Sequence, residues 1–199
     1  MWCVVGLGNP GSGYRGSRHN VGFLLVDQLC RAAGVRLRHR TPLVTWGEGS
    51  WRQQRLLLAK PLTYMNRSGI GVHTLMRSCA CRPSDLVVLH DDLDLALGRL
   101  KFKQRGGDGG HRGIRSIINA LGCGRFLRLR IGIGRPPSGV DPSDYVLNPF
   151  TPEERALLER TLEAAVEAVG ILIQNGVDRA MSLYHGSAGS HGGDRVVRE

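Results

Sequence analysis

Residues 6–22 read GLGNPGSGYRGSRHNVG and place an amide, an imidazole and a second amide (Asn9, His19, Asn20) around a glycine-broken loop close to the N-terminus. A neutral histidine is the side chain whose ordinary pKa lets it take a proton from water near pH 7, so His19 is a candidate general base for splitting an ester or amide. Such a reaction passes through an oxyanion, which needs a neutral donor already in place, and the carboxamide of Asn66 is the leading candidate. Two pairs of cations, Lys101 with Lys103 and Arg128 with Arg130, are spaced two apart, so each pair shares one face of a strand and can meet phosphate. Blander roles stay open for all of them. His19 can simply tie a turn together, and Asn9 and Asn66 can cap turns or helices. Asp91, Asp92 and Asp94 can hold magnesium or face solvent, and the four cations can be ordinary edge charge.

The same N-terminal letters satisfy G-x-G-x-x-G (Gly6, Gly8, Gly11). A dinucleotide site also needs a helix opening within the glycines and an acid about 20 residues on to hold the ribose. Here Pro10, Gly11, Gly13 and Gly16 keep the chain irregular until about His19, and Asp27 falls inside a helical stretch, so that reading is rejected.

The elements that must carry these residues alternate in type. Trp2–Val5 is a short β-prone run opening into Gly and Pro, which puts Asn9 at the C-terminal mouth of a strand. Val21–Ala33 has the apolar spacing of a buried helix ending at Gly34. Strands are expected over Val44–Trp51 and Arg55–Ala59. A helix is expected over Arg67–Cys79 with Asn66 as its N-cap, followed by a buried strand over Leu86–Leu89. Arg99–Lys103 alternates as a strand. Gly106–Gly110 forms a pliable glycine loop, and His111–Leu121 a helix whose N-terminus can attract phosphate. Phe126–Ile133 alternates again, with Phe126, Arg128, Arg130 and Gly132 on one side, and reads as a strand with one basic face. Thr151-Pro152-Glu153-Glu154 is a capping box opening a helix that runs to Gly176, with a short helix over Val177–Tyr184 behind it. Residues 186–199 are rich in Gly, Ser and His and read as a mobile tail without chemistry. This pattern predicts an α/β fold, one sheet with helices on both faces, spanning residues 1–185.

Composition narrows the partners. The 199 residues carry 27 Lys and Arg against 17 Asp and Glu, enough chain for one well-buried domain. The excess is uneven, because residues 1–150 hold 22 basic and 9 acidic side chains whereas 151–199 hold 5 and 8. A basic body of this kind points to a polyanion such as nucleic acid. Five scattered cysteines without a C-x-x-C pair read as reduced thiols rather than a zinc site. No apolar run is long enough to span a membrane, and too few residues precede the first motif for a signal peptide, so a soluble cytoplasmic protein is expected.

Seven blocks in order complete the pattern: GLGNPG at 6–11, RHNVG at 18–22, KPLTYMNRSG at 60–69, HDDLD at 90–94, GRLKFK at 98–103, GGDGGHRG at 106–113 and RLRIGIGRP at 128–136. Together they resemble the bacterial type of peptidyl-tRNA hydrolase, from Met1 to about Tyr184. The resemblance implies a monomer with a mixed, mostly parallel twisted sheet flanked by helices, which cleaves the ester between a peptide and the 3′-terminal ribose of tRNA. It implies no cofactor and no metal. By the same resemblance Asp91 holds His19, while Asn9, Tyr14, Met65, Asn66, His111 and Arg112 meet the substrate, with Met65 as an adaptable apolar wall. Lys101, Lys103 and Arg130 would contact tRNA, Lys103 and Arg130 clamping its terminal phosphate. Arg112 departs from the family, which commonly has Asn there, so the amide role is not carried over; an arginine can meet phosphate instead. Two competing functions are a non-catalytic RNA-binding member of the same fold, of the intron-splicing cofactor kind, and a small-molecule ester or amide hydrolase. The intact His19 and Asp91 favour the hydrolase over the first, the basic strand faces over the second.

Overall fold

The structure, a computed structural model, describes residues 1–185; the tail expected at 186–199 lies outside the described residues. Seven strands form one sheet in the order β2-β3-β4-β1-β5-β7-β6. They are β1 (Trp2–Gly6), β2 (His39–Arg40), β3 (Val44–Trp51), β4 (Gln54–Pro61), β5 (Leu86–Asp92), β6 (Leu100–Lys103) and β7 (Leu127–Gly132). The four central strands β4, β1, β5 and β7 run parallel, while β2, β3 and β6 add antiparallel edges. Parallel strands covered on both sides read as continuous apolar runs, which is why Leu86–Leu89 and Leu56–Ala59 show no alternation. Residues Arg52 and Gln53 both take positive φ, 48° and 64°, as a two-residue hairpin turn demands.

Helices close both faces. On one side α1 (Val21–Ala33) and α5 (Pro152–Asn175) pack over Val4, Leu58, Leu89 and Leu129, with α6 (Val177–His185) beside them. On the other, α2 (Ser68–Ser78) and α3 (Arg112–Leu121) cover Val5, Leu57, Val88 and Phe126. A short α4 (Pro142–Leu147), started by Asp141, precedes the Thr151–Glu154 capping box of α5. Among the described residues no helix is long and apolar enough to cross a membrane.

The glycines of the N-terminal loop serve packing. A Cβ on Gly22 would fall 2.4 Å from the Leu89 carbonyl oxygen and 2.5 Å from the Leu7 nitrogen, and one on Gly6 would fall 2.1 Å from the Gly22 oxygen. Only glycine lets the first turn of α1 wedge against the C-terminal ends of β1 and β5. That wedge sets His19, just before the helix, over the end of β5.

Three sequence expectations change. Asn66 does not cap a helix: Met65–Arg67 form a 3₁₀ turn, and α2 starts at Ser68 with Arg67 at its N-cap position and no side-chain cap. The chain enters α2 through a turn stabilised by the Ser68 hydroxyl donating to the Met65 carbonyl, which releases the Asn66 amide. The basic face of β7 is half closed, because Arg128 is only 2 % exposed and donates to the carbonyls of Gly106, Gly107 and Gly124. A buried guanidinium must find acceptors, and the glycine loop supplies them; the loop is therefore held by Arg128 from beneath. Finally, β5 runs through Asp92, since its last residues pair with Arg130, Ile131 and Gly132 of β7 rather than ending at Leu89.

Candidate active site

At the C-terminal ends of β1 and β5 a cavity of about 740 Å³ opens, with His19, Asp91 and His111 on its floor. Sheets of this kind place ligands there because loops diverge at the strand ends. His19 Nδ1 lies 2.8 Å from both carboxylate oxygens of Asp91. An imidazole facing an ionised carboxylate keeps its proton on that nitrogen, so Nε2 is left with a lone pair toward the cavity. Burial alone would raise the Asp91 pKa, but His19 and His111 outweigh it and hold the carboxyl well below the usual carboxylate range.

His111 is a second partner of the same acid, and its tautomer follows from helix geometry. It stands at the N-cap of α3, where its Nδ1 accepts from the backbone N–H groups of Gly113 and Ile114, each at 3.2 Å. Its proton must then sit on Nε2, which donates to Asp91 Oδ1 at 2.9 Å. His90 completes the cluster from behind. Its Nδ1 donates to the Asp91 carbonyl at 2.7 Å, and its ring meets that of His111 edge-on at 4.7 Å. Burial, with His111 alongside, pushes the His90 pKa well below the histidine range, so a neutral ring backs the site.

Among the described residues, His19, Asp91 and His111 are the group whose metal-ligating atoms converge, all within 4.8 Å of one another. A metal on His111 Nε2 would drive the ring proton to Nδ1, against the two α3 amides already pointing there, so the cluster is better suited to hydrogen bonding. The acids of 90–94 do not converge on a cation: Asp91 faces the histidines, Asp92 pairs with Arg130 and Asp94 with Arg135.

Asn9 is oriented from three sides. Its Oδ1 accepts from the Met65 N–H at 2.7 Å, its N–H donates to Asn20 Oδ1 at 2.7 Å, and Asn20 Nδ2 donates to the Asn9 carbonyl at 3.0 Å. With Oδ1 engaged, the Asn9 amide presents Nδ2 to the cavity. Met65, buried, and Asn66, exposed, line the wall beside it, and Tyr14 meets Tyr64 edge-on at the rim. Arg112, the first residue of α3, is exposed at the mouth next to His111.

The proposed phosphate contacts stand apart from the cavity. Lys101 and Lys103 on β6 share a sheet face with Arg130 and Arg128 on β7, as cross-strand neighbours. Lys101 is exposed and Lys103 partly so, but Arg130 Nε is held by Asp92 at 2.5 Å. Of the four cations read from spacing, the two lysines are the most available.

Sequence reading missed what supports His19 from outside. The buried Arg18 donates to the carbonyls of Asn148 and Pro149, pairs with Glu154 at 2.6 Å, and lies over the Tyr145 ring at 4.1 Å. It ties the His19 turn to the start of α5 and to α4, which forms the far wall of the cavity with Val146 and Leu147. The capping-box acid Glu154 was visible in the sequence, but its partner lies 136 residues away.

Comparison with known proteins identifies the family. A profile of the peptidyl-tRNA hydrolase family matches residues 3–191. The peptidyl-tRNA hydrolase of Geotalea daltonii is 47% identical over 182 residues, covering 92% of this chain and 95% of that protein. That of Frankia alni is 45% identical over 184 residues, covering 92% and 93%. The crystal structure of peptidyl-tRNA hydrolase from Acinetobacter baumannii superposes with a TM-score of 0.87 at 37% identity, covering 94% of this chain and 95% of that one. With the profile, these relatives and the shared fold in agreement, the chain belongs to the peptidyl-tRNA hydrolase family.

Proposed function

We propose that the protein hydrolyses the ester joining a peptide to the 3′-terminal ribose of tRNA, with His19 as general base. The observation that carries this reading is the His19–Asp91 pair, 2.8 Å apart, which leaves the other imidazole nitrogen for the cavity that Asn9 also lines. Nε2 of His19 takes a proton from water as its oxygen attacks the ester carbon, and the ionised Asp91 stabilises the resulting imidazolium. The tetrahedral oxyanion accepts from the Asn66 carboxamide, while Asn9 Nδ2 holds the ester or the peptide backbone. On collapse the ribose oxygen leaves and takes the proton back from His19, so acid, alcohol and free enzyme result. His111 keeps Asp91 in place through its locked Nε2–H, in addition to bordering the substrate. Met65 and Tyr14 give the peptide an apolar wall, and Arg112 meets a phosphate of the single-stranded 3′ end.

Lys101 and Lys103 supply the tRNA contact, with Arg130 as a lesser partner because Asp92 engages its Nε. The complete site lies within one chain, which supports a monomer, and the unpaired cysteines suit the reducing cytoplasm. The direct test is incubation of the pure protein with N-blocked aminoacyl-tRNA. Release of the N-blocked amino acid with 3′-hydroxyl tRNA is expected, and binding without release would assign it to the non-catalytic reading. Sedimentation at micromolar concentration checks the monomer.

A further inference from the structure

At the sheet edge opposite Lys101 and Lys103, residues 28–47 contain four arginines, Arg31, Arg36, Arg38 and Arg40, one histidine and no acid. All four arginines are exposed, and among the described residues none of their guanidiniums has a hydrogen bond or ion pair. Neighbouring cations differ. Arg52 pairs with Glu167, Arg55 with Glu48 and Lys60 with Asp27, so the acids on this side of the molecule are already taken. Repulsion among unpaired guanidiniums costs stability that an anion would restore.

The patch also has shape. Arg36, Arg38 and His39 border a depression of about 340 Å³ floored by Gly34 and Gly47 and closed on one side by Glu48. Gly47 is needed there, because a Cβ would fall 2.0 Å from the Arg36 carbonyl oxygen; the arginine segment therefore lies flat on β3. At its end the His39 ring stacks on Trp46, with centroids 5.1 Å apart and planes 20° apart. Planar cations around a shallow groove beside a stacked aromatic pair are the features that track a nucleic-acid backbone.

Register fixes where this patch sits. His39, Trp46, Ala59, Val5, Val88, Arg128 and Lys103 form one row across the sheet. Six strand steps at about 4.8 Å put His39 roughly 29 Å from Lys103, with the catalytic cavity between them. An acceptor stem held at β6 with its 3′ end in the cavity leaves on the β6 side, and so does not return to β2.

We propose that the β2 edge, through Arg36, Arg38, His39 and Arg40, is a second RNA-binding surface that takes the phosphate backbone of an RNA other than the tRNA being hydrolysed. The inference rests on the peptidyl-tRNA hydrolase reading for the direction in which substrate leaves, while its own evidence is the unpaired arginine groove. Such a surface would hold the enzyme near RNA-rich assemblies without occupying its active site.

The test uses the full chain and a blunt RNA duplex of about 20 base pairs without a 3′ overhang, with affinity read by fluorescence anisotropy across a salt series. The combined substitution Arg36→Glu, Arg38→Glu, Arg40→Glu is expected to weaken duplex binding at least tenfold and to lower the log K against log salt slope by about 2 to 3, near 0.9 for each phosphate no longer neutralised. The neutral set Arg36→Gln, Arg38→Gln, Arg40→Gln should show the same direction with a smaller effect, with hydrolysis of N-blocked aminoacyl-tRNA unchanged within twofold in both. Lys101→Ala with Lys103→Ala should give the converse. Unchanged duplex affinity in the arginine variants would overturn the proposal. So would a parallel fall in kcat/KM, which would place the substrate tRNA itself on this edge, or duplex binding abolished only in the lysine variant. A wild-type protein that binds duplex through these arginines but hydrolyses nothing would refute the hydrolase reading and leave this surface standing.

Discussion

Replacing Asp91 with Asn removes one charge and almost no volume, yet two N–H groups make three contacts with its two oxygens. His19 Nδ1 reaches both at 2.8 Å and His111 Nε2 reaches Oδ1 at 2.9 Å. An amide offers one oxygen. His111 cannot adapt, since the Gly113 and Ile114 amides fix its Nδ1 as an acceptor. The amide oxygen must therefore take the Oδ1 place and serve His111, which leaves the amide nitrogen at the Oδ2 place with its N–H groups 2.8 Å from His19 Nδ1. That donor-to-donor conflict is relieved when His19 moves its proton to Nε2, the nitrogen that should accept from water, and the bond to the shared oxygen is lost with it. The variant thus folds with its base in the wrong tautomer and without the anion that stabilises the imidazolium. Loss of a comparably placed acid in the serine-protease triad lowers kcat by ~10⁴, so a fall of about 10³ to 10⁴ is expected here, about 4 to 5.5 kcal/mol of transition-state stabilisation. Initial-rate deacylation of N-blocked aminoacyl-tRNA at saturating substrate measures it, and the ring-nitrogen shifts of ¹⁵N-labelled His19 report the tautomer. Retention of more than a tenth of wild-type kcat, or His19 still protonated on Nδ1, would refute the reasoning. The pH dependence of stability gives a second check. Because the folded Asp91 pKa is depressed, its contribution is complete above the unfolded carboxylate value near 4 and is lost as pH falls below it. Wild-type protein should therefore lose stability between about pH 4 and 2 more steeply than Asp91→Asn, and equal slopes in acid-titrated urea melts would contradict the ionised buried carboxylate.

His19→Ala should lower kcat at least 10²-fold while leaving affinity for deacylated tRNA within a few-fold, because a base acts on the transition state; a larger loss of affinity than of rate would point to a binding role. Lys103→Ala should raise KM more than Arg130→Ala and reduce the salt slope by roughly 0.7 to 0.9, since Asp92 already engages Arg130; the reverse ranking in KM would dismiss the lysine contact. Arg18→Met should cost about 3 kcal/mol in denaturant melts by removing the guanidinium's pairing with Glu154 and its bonds to the Asn148 and Pro149 carbonyls, and should lower kcat by loosening the His19 turn; a stable variant with normal kcat would show that Arg18 does not support the site. Gly22→Ala places a Cβ 2.4 Å from the Leu89 oxygen, a backbone atom with nowhere to move, so a loss of about 3 kcal/mol or failure to fold is expected; a melting midpoint like that of wild type would refute the wedge.

Much of this molecule is legible in one dimension because the forces involved are local. Val21–Ala33 with Gly34 at its left-handed cap, the Val44–Trp51 strand and the Thr151–Glu154 capping box all follow from neighbours within four residues, and each stands where periodicity and capping put it. The candidate chemistry was legible for a different reason: a histidine, amides and lysines at loop mouths and alternating strand positions each have blander uses, and it was the seven blocks in order, through the family they resemble, that selected one set of roles. Other outcomes depended on partners far along the chain. Arg128 and Arg130 look alike in sequence, but one is buried under the carbonyls of Gly106 and Gly107 and the other is claimed by Asp92. Asn66 has the letter of a helix cap, and a 3₁₀ turn took that place instead. His111 reads as the opening residue of a helix, and only α3 packed against the end of β5 makes it a tautomer-locked donor to Asp91. A side chain's chemical type is written in the sequence, but its charge, tautomer and availability are set by whichever groups the fold brings within about 3 Å, and hydrogen bonds that short are chosen by packing across 20 to 136 residues of chain.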